Sequence, residues 1–196
     1  MSTRRWLAPT PAALAGWLAF SSAGYAADVE HIAVQRKGDR YGIHMQVRLD
    51  APAQRAFELF QHYENLPRIN PSVTTVQRLD TAEHGDDVYT EVDLCVGFIC
   101  RQIYEVQNMT WQVDAERHNL RATVDPSRSN LAYGTGSWTF VDCGEQQSCL
   151  DFRAEVEPDF WIPPVIGPWV IQRSMRREAI VTSEGIERLA QHPDAR

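Results

Sequence analysis

The sequence predicts an α+β fold, in which an antiparallel sheet packs against one long C-terminal helix. Three observations predict it. Period-two alternation of apolar and polar residues runs through most of 73–156. A helical stripe follows residue 168, and the only other helical pattern is short and bounded by Pro52 and Pro67. Alternation of that kind marks strands with one wet and one dry face, which is the signature of an antiparallel sheet.

In chain order, His31–Gln35 and Tyr41–Leu49 read as two strands joined by the turn cluster Lys37-Gly38-Asp39-Arg40. Asp50-Ala51-Pro52 starts a helix, with Asp50 as the expected cap and Pro52 in the first turn, where a missing N–H is harmless. Ala53, Ala56, Phe57 and Phe60 give that helix one apolar face, Leu66-Pro67 breaks it, and Asn70-Pro71-Ser72 turns the chain. Six strands then follow at roughly 73–80, 86–95, 100–110, 118–124, 131–142 and 148–156. Gly134 and Gly136 inside the fifth of these predict a bend or a close backbone approach. In the last helix Ile171, Met175, Ala179, Thr182, Ile186 and Leu189 form the apolar stripe, with Arg173, Arg176, Arg177, Glu184 and Glu187 largely off it.

The first 26 residues read as a signal peptide: Arg4-Arg5, a short apolar run from Ala12 to Phe20, and small residues before a cleavage after Ala26. Both the general secretory and the twin-arginine routes stay open. The domain expected after cleavage spans 27–196, with 17 cations against 26 acids and a formal charge of −9. That balance argues against nucleic acid as a partner, and no apolar run after the signal is long enough to cross a bilayer. A periplasmic or secreted location follows, and Cys95, Cys100, Cys143 and Cys149 suit an oxidising compartment. Of three pairings, the local staples Cys95–Cys100 and Cys143–Cys149 are expected, each joining two strand-like runs. Neither pair has zinc-finger spacing, and no metal or cofactor is expected.

This order of elements resembles the helix-grip fold, and three segments carry the likeness. "LDAPAQRAFELFQHYENLPRINPSV" (49–73) is similar to that family's passage from first to second strand, "GTGSWTF" (134–140) to its late Gly-x-Gly-x-Trp strand, and "PDFWIPPVIGPWVIQRSMRREA" (158–179) to its approach to the last helix. The chain is thereby identified as resembling the START-like (SRPBCC) superfamily, which includes polyketide cyclases, lipid-transfer domains and coenzyme-Q-binding proteins. The resemblance covers about 29–190. It implies a curved sheet wrapped around the C-terminal helix, two short helices after the first strands, and an apolar cavity between sheet and helix. It says less about chemistry, because this fold hosts unrelated functions.

No strong catalytic motif is present. Ser137 directly follows a glycine within a strand pattern, unlike a nucleophile elbow. Asp93, Arg101, Tyr104 and Glu105 flank the first cysteine pair at strand positions expected to face water. Aromatic residues are better candidates, because each large side chain taken out of water gains about 1.5–3 kcal/mol and must be covered by something. The expected cavity or mouth residues are Phe57, Phe60, Trp111, Arg128, Tyr133, Trp138, Phe160, Trp161, Ile166, Trp169 and Met175. Of these, Phe57 and Phe60 read more readily as core, and Arg128 as a grip for a polar head group or a loop ion pair. The prolines among Trp161, Val165, Ile166 and Trp169 hold that segment as a loop, and loops run over surfaces.

The leading expectation is an exported binding or carrier protein for a hydrophobic small molecule such as a quinone, isoprenoid or lipid. It includes transient contact with a membrane through 160–169 and the arginines that follow. The alternatives are a cyclase or dehydratase-type enzyme using the same cavity, and an adaptor that binds a protein partner through the 160–169 lip.

Overall fold

The structure is a computed structural model that describes residues 27–82 and 85–192; the expected signal segment lies outside them. Strands β1 (Asp28–Lys37) and β2 (Arg40–Leu49) form a hairpin whose turn holds Gly38 at φ 65°, a left-handed conformation suited to glycine. On β2 the residues Tyr41, Ile43, Met45, Val47 and Leu49 are all buried, so alternate side chains define the inner face. Helix α1 (Ala53–Gln61), a 3-10 turn at Tyr63–Asn65 and the single-turn α2 (Leu66–Ile69) then cross to the far edge of the sheet. From there the chain meanders back as β3 (Val73–Ala82), β4 (Gly85–Val96), β5 (Ile99–Val113), β6 (His118–Val124), β7 (Leu131–Gly144) and β8 (Gln147–Pro158). All neighbours are antiparallel, and β8 pairs with β2, giving the order β1-β2-β8-β7-β6-β5-β4-β3. The curved sheet is wrapped around α3 (Gly167–Gln191), as the helix-grip resemblance implies.

Three local expectations are refined. The first N–H of α1 is capped by a residue distant in sequence: Ala53 N donates to Asp142 Oδ1 on β7 at 2.8 Å. Asp50 instead accepts from Gln147 Nε2 at 2.7 Å and so ties the helix start to the β7–β8 hairpin. Glu187, expected off the apolar stripe, is buried, and burial pushes its carboxyl upward. At Gly136 the predicted close approach is that of the Trp138 ring, which lies 2.7 Å from where a Cβ would stand.

The core fills one end of the space between sheet and helices. Phe57 and Phe60 of α1 meet Phe140 of β7 with ring centroids 6.3 and 6.1 Å apart, and Ile186 and Leu189 of α3 are fully buried there. α2 sits so close to α3 that a Cβ on Gly185 would lie 1.8 Å from the Ile69 carbonyl oxygen. Asn70 fastens the same junction, donating to Glu178 Oε2 at 2.9 Å and to Thr182 Oγ1 at 3.1 Å. Both cysteine pairs are joined as expected, Cys95–Cys100 in the β4–β5 hairpin and Cys143–Cys149 between β7 and β8. Among the described residues no helix is long and apolar enough to cross a membrane.

Candidate ligand cavity

Towards its N-terminal half α3 stands off from the sheet and leaves a cavity of about 560 Å³. Its walls are the inward positions of the strands: Ile43 and Met45 on β2, Val92 and Leu94 on β4, Trp138 on β7, Phe152 and Ala154 on β8. Ile171, Met175 and Ala179 of α3 form the opposite wall. The Trp138 ring stacks on Phe152, with centroids 5.2 Å apart, and Gly136 supplies the room for it.

The cavity meets solvent between two segments. One is the tip of the β4–β5 hairpin, which lines it through Ile99, Cys100 and Arg101; the other is the loop from Asp159 to Ile166. Trp161 lines the cavity and yet is 79% exposed, as a residue at a rim must be. Phe98 at the hairpin tip is 96% exposed, and Val165 and Trp169 also face outward. Arg101 joins the two sides, its guanidinium 4.3 Å from the centre of the Phe160 ring. Arg177 Nη1 donates to Cys95 O at 3.1 Å and ties α3 to the stapled hairpin. A second recess, bordered by Arg36, Tyr41 and Glu157, lies along the same loop and shares Phe160, Trp161 and Ile162 with the cavity.

Three ionisable side chains line this apolar space: Arg101 at the rim, Glu178 on α3 and Glu105 on β5. Glu178 is held by Asn70. Glu105 keeps a partly accessible surface because it faces the cavity, but protein surrounds it otherwise. Burial pushes its carboxyl up to about 7, against the opposing hydrogen bonds from Gln107 and Thr90.

Among the residues expected from sequence, Trp138, Phe160, Trp161, Ile166 and Met175 come together around the cavity. Phe57 and Phe60 lie in the core, Phe60 behind the wall with its ring 5.6 Å from Trp138. Trp169 is on the outer surface of α3 beside Arg173, 5.7 Å from ring to guanidinium. Tyr133 carries the Arg40 guanidinium at 4.0 Å, Trp111 is exposed on β5, and Arg128 pairs on the surface with Asp87 at 3.2 Å. None of these last four lines the cavity. Conversely, Arg101 and Glu105 were expected to face water with Asp93 and Tyr104, but they share the inner face of β5. The available signal was register: Glu105 falls in step with Ile99, Ile103 and Met109, which are apolar.

Residues 42–192 match the family model described as polyketide cyclase / dehydrase and lipid transport. The chain belongs to that family. Solved structures of START-like proteins share its architecture. The STAR-related lipid transfer protein from Xanthomonas axonopodis superposes with a TM-score of 0.67 at 12% identity, over 85% of this chain and 99% of that one. The ZhuI aromatase/cyclase from a Streptomyces species gives 0.61 at 12% identity, over 80% and 96%. A START superfamily protein from Mycobacterium smegmatis gives 0.62 at 11% identity, over 78% and 98%. At these identities the likeness concerns the fold. None of the curated proteins matches the chain in sequence. What this polyketide cyclase and lipid transport family member has in common with them is the START-like fold.

Proposed function

We propose that this protein is an exported carrier that holds a hydrophobic small molecule, such as a quinone, isoprenoid or fatty-acyl lipid, and releases it unchanged. The observation that carries the reading is the cavity itself, about 560 Å³ and walled almost wholly by apolar side chains. That volume lies within the ordinary range of small-molecule sites, roughly 300–1,000 Å³. Removal of residues 1–26 would release the chain to a periplasmic or external compartment, a reading to which the two disulfides lend support. Phe98, Trp161, Val165 and Trp169 around the mouth, with Arg101 and Arg173 beside them, suit brief contact with a membrane while the ligand crosses.

The test is purification of the protein from its own compartment under gentle conditions, followed by native and denaturing mass spectrometry. An apolar species at about one per chain is expected; a protein that emerges empty and takes up no lipid from vesicles overturns the reading. Replacing Trp161 and Trp169 together by alanine is expected to slow loading from vesicles while the fold persists. A normal loading rate in that double variant removes the mouth from the proposal.

One observation favours a second reading. A carboxyl group poised near neutrality inside the cavity, Glu105, suits proton transfer to an enolisable chain, as a cyclase or dehydratase requires. Recovery of the bound molecule chemically altered after incubation would favour that enzyme over the carrier.

A further inference from the structure

Glu105 differs from everything else that lines the cavity. It stands opposite Thr90 of β4 and shares the inward face of β5 with Ile99, Arg101 and Ile103. Its Oε1 accepts two hydrogen bonds, from Gln107 Nε2 and, at 3.5 Å, from Thr90 Oγ1. Among the described residues its Oε2 has no hydrogen-bond partner, and no cation forms an ion pair with either oxygen. With Oε1 taken up by two donors, Oε2 is the oxygen free to carry the proton whenever the group is protonated. A protonated Oε2 there is a donor that faces the apolar cavity without a protein acceptor, so an acceptor on a bound ligand can meet it.

We propose that Glu105 is the head-group anchor of the cavity, and that the ligand is an uncharged apolar molecule bearing a carbonyl-type oxygen, which accepts the Oε2–H. This rests on the reading of the cavity as a hydrophobic ligand site and narrows it. A ketone, quinone or ester satisfies Oε2. A plain hydrocarbon leaves it unmet. A fatty-acid anion held at Glu105 adds negative charge beside a carboxyl group, and the cation that lines the space, Arg101, stands at the rim, four residues along β5. On the sheet side the ionisable lining groups are Glu105 and, at the rim, Arg101: β4 contributes the apolar Val92 and Leu94, and β2, β7 and β8 contribute no ionisable lining residue.

The anchor is a donor only while protonated, so its hold on a carbonyl weakens as pH rises through the range in which Glu105 ionises. That range is near neutrality, since burial pushes the carboxyl up to about 7. The charged groups facing Glu105 across the cavity are Arg101, four residues toward the mouth on β5, and Glu178 from α3. Arg101 stays charged throughout, and Glu178 is engaged by Asn70.

The experiment uses a matched pair of probes, 2-acetylnaphthalene and 2-ethylnaphthalene, which differ by one carbonyl oxygen. Equilibrium dialysis against the purified full chain at pH 5.5 and pH 8.5 gives the ratio of their dissociation constants. The ratio is expected to shift toward the ketone by about fivefold at the lower pH, the worth of one neutral hydrogen bond. In Glu105→Leu the shift with pH disappears. In Glu105→Gln, which keeps an N–H donor of similar shape and guards against misfolding of the leucine variant, the ketone is favoured equally at both pH values. If both probes bind but their ratio ignores both pH and substitution, the anchor is refuted and the cavity stands. If neither probe binds at either pH, the cavity reading falls, and the anchor with it.

Discussion

A carboxyl group that folding moves into an apolar cavity holds its proton more tightly than the same group in the unfolded chain. For Glu105 the folded value is pushed up to about 7 from an ordinary 4.5, so between those values the folded state binds more protons than the unfolded one. Its contribution to stability is therefore greatest at the acid end of that window, declines as pH rises through it, and levels off above about 7. Glu187, raised mainly by burial, acts in the same sense. Asp151 acts in the opposite sense at lower pH. Burial opposes its ionisation, but hydrogen bonds from Arg153, His44 and Gln46 outweigh burial and bring it to about 2, so its contribution is lost as pH falls from 3.8 through 2. Thermal unfolding of the ligand-free protein should show the Tm declining between pH 5 and 7.5, with a shallower slope in Glu105→Gln. An identical slope in the variant would mean that Glu105 ionises freely in the folded state. This residue was legible only in part: its step with apolar neighbours could be read, but the side of β5 that turns to α3 depends on pairing with β4.

Elements were legible where the signal is local. Alternation, turn residues and the helical stripe place all eight strands and the long helix within a few residues, because each signal lies in the segment that it describes. The start of α1 was not, since its cap lies 89 residues away on β7. Asp142→Ala should lower stability by about 1 kcal/mol, the usual worth of a helix cap. Urea unfolding checks this, and Asp50→Ala, which loses only an exposed contact to Gln147, should cost less. At the α2–α3 junction Gly185→Ala drives a methyl group against the Ile69 carbonyl, and about 1–3 kcal/mol of overpacking is expected in the same assay. A wild-type midpoint for Gly185→Ala would show that α2 can withdraw without loss.

On the scale of the molecule, the two disulfides stand at opposite ends of the structure. Cys95–Cys100 stiffens the hairpin at the cavity mouth, whereas Cys143–Cys149 stiffens the end that holds α1. Short loops give each roughly 2 kcal/mol by the chain-entropy estimate. Replacing either pair by alanines should therefore lower stability similarly, but only loss of Cys95–Cys100 should also speed ligand exchange, measured as the rate of release of a bound probe. Equal exchange rates in the two variants would argue that the hairpin does not govern the mouth. Neither the cavity nor the β2–β8 pairing could be read from local pattern; the cavity was expected from the family resemblance, because an enclosed space is a property of how distant elements meet.

The cap on α1 bears on the order in which the chain can mature. A polypeptide made or passed through a membrane from its N-terminus presents Ala53 long before Asp142, and β2 long before its partner β8. Its first third thus has apolar faces with nothing yet to cover them, and contacts of such long sequence separation form late. If residues 1–26 direct export, a route that threads unfolded chains would carry this sequence before it can close on itself. A route that accepts only folded cargo would have to wait for the last strand.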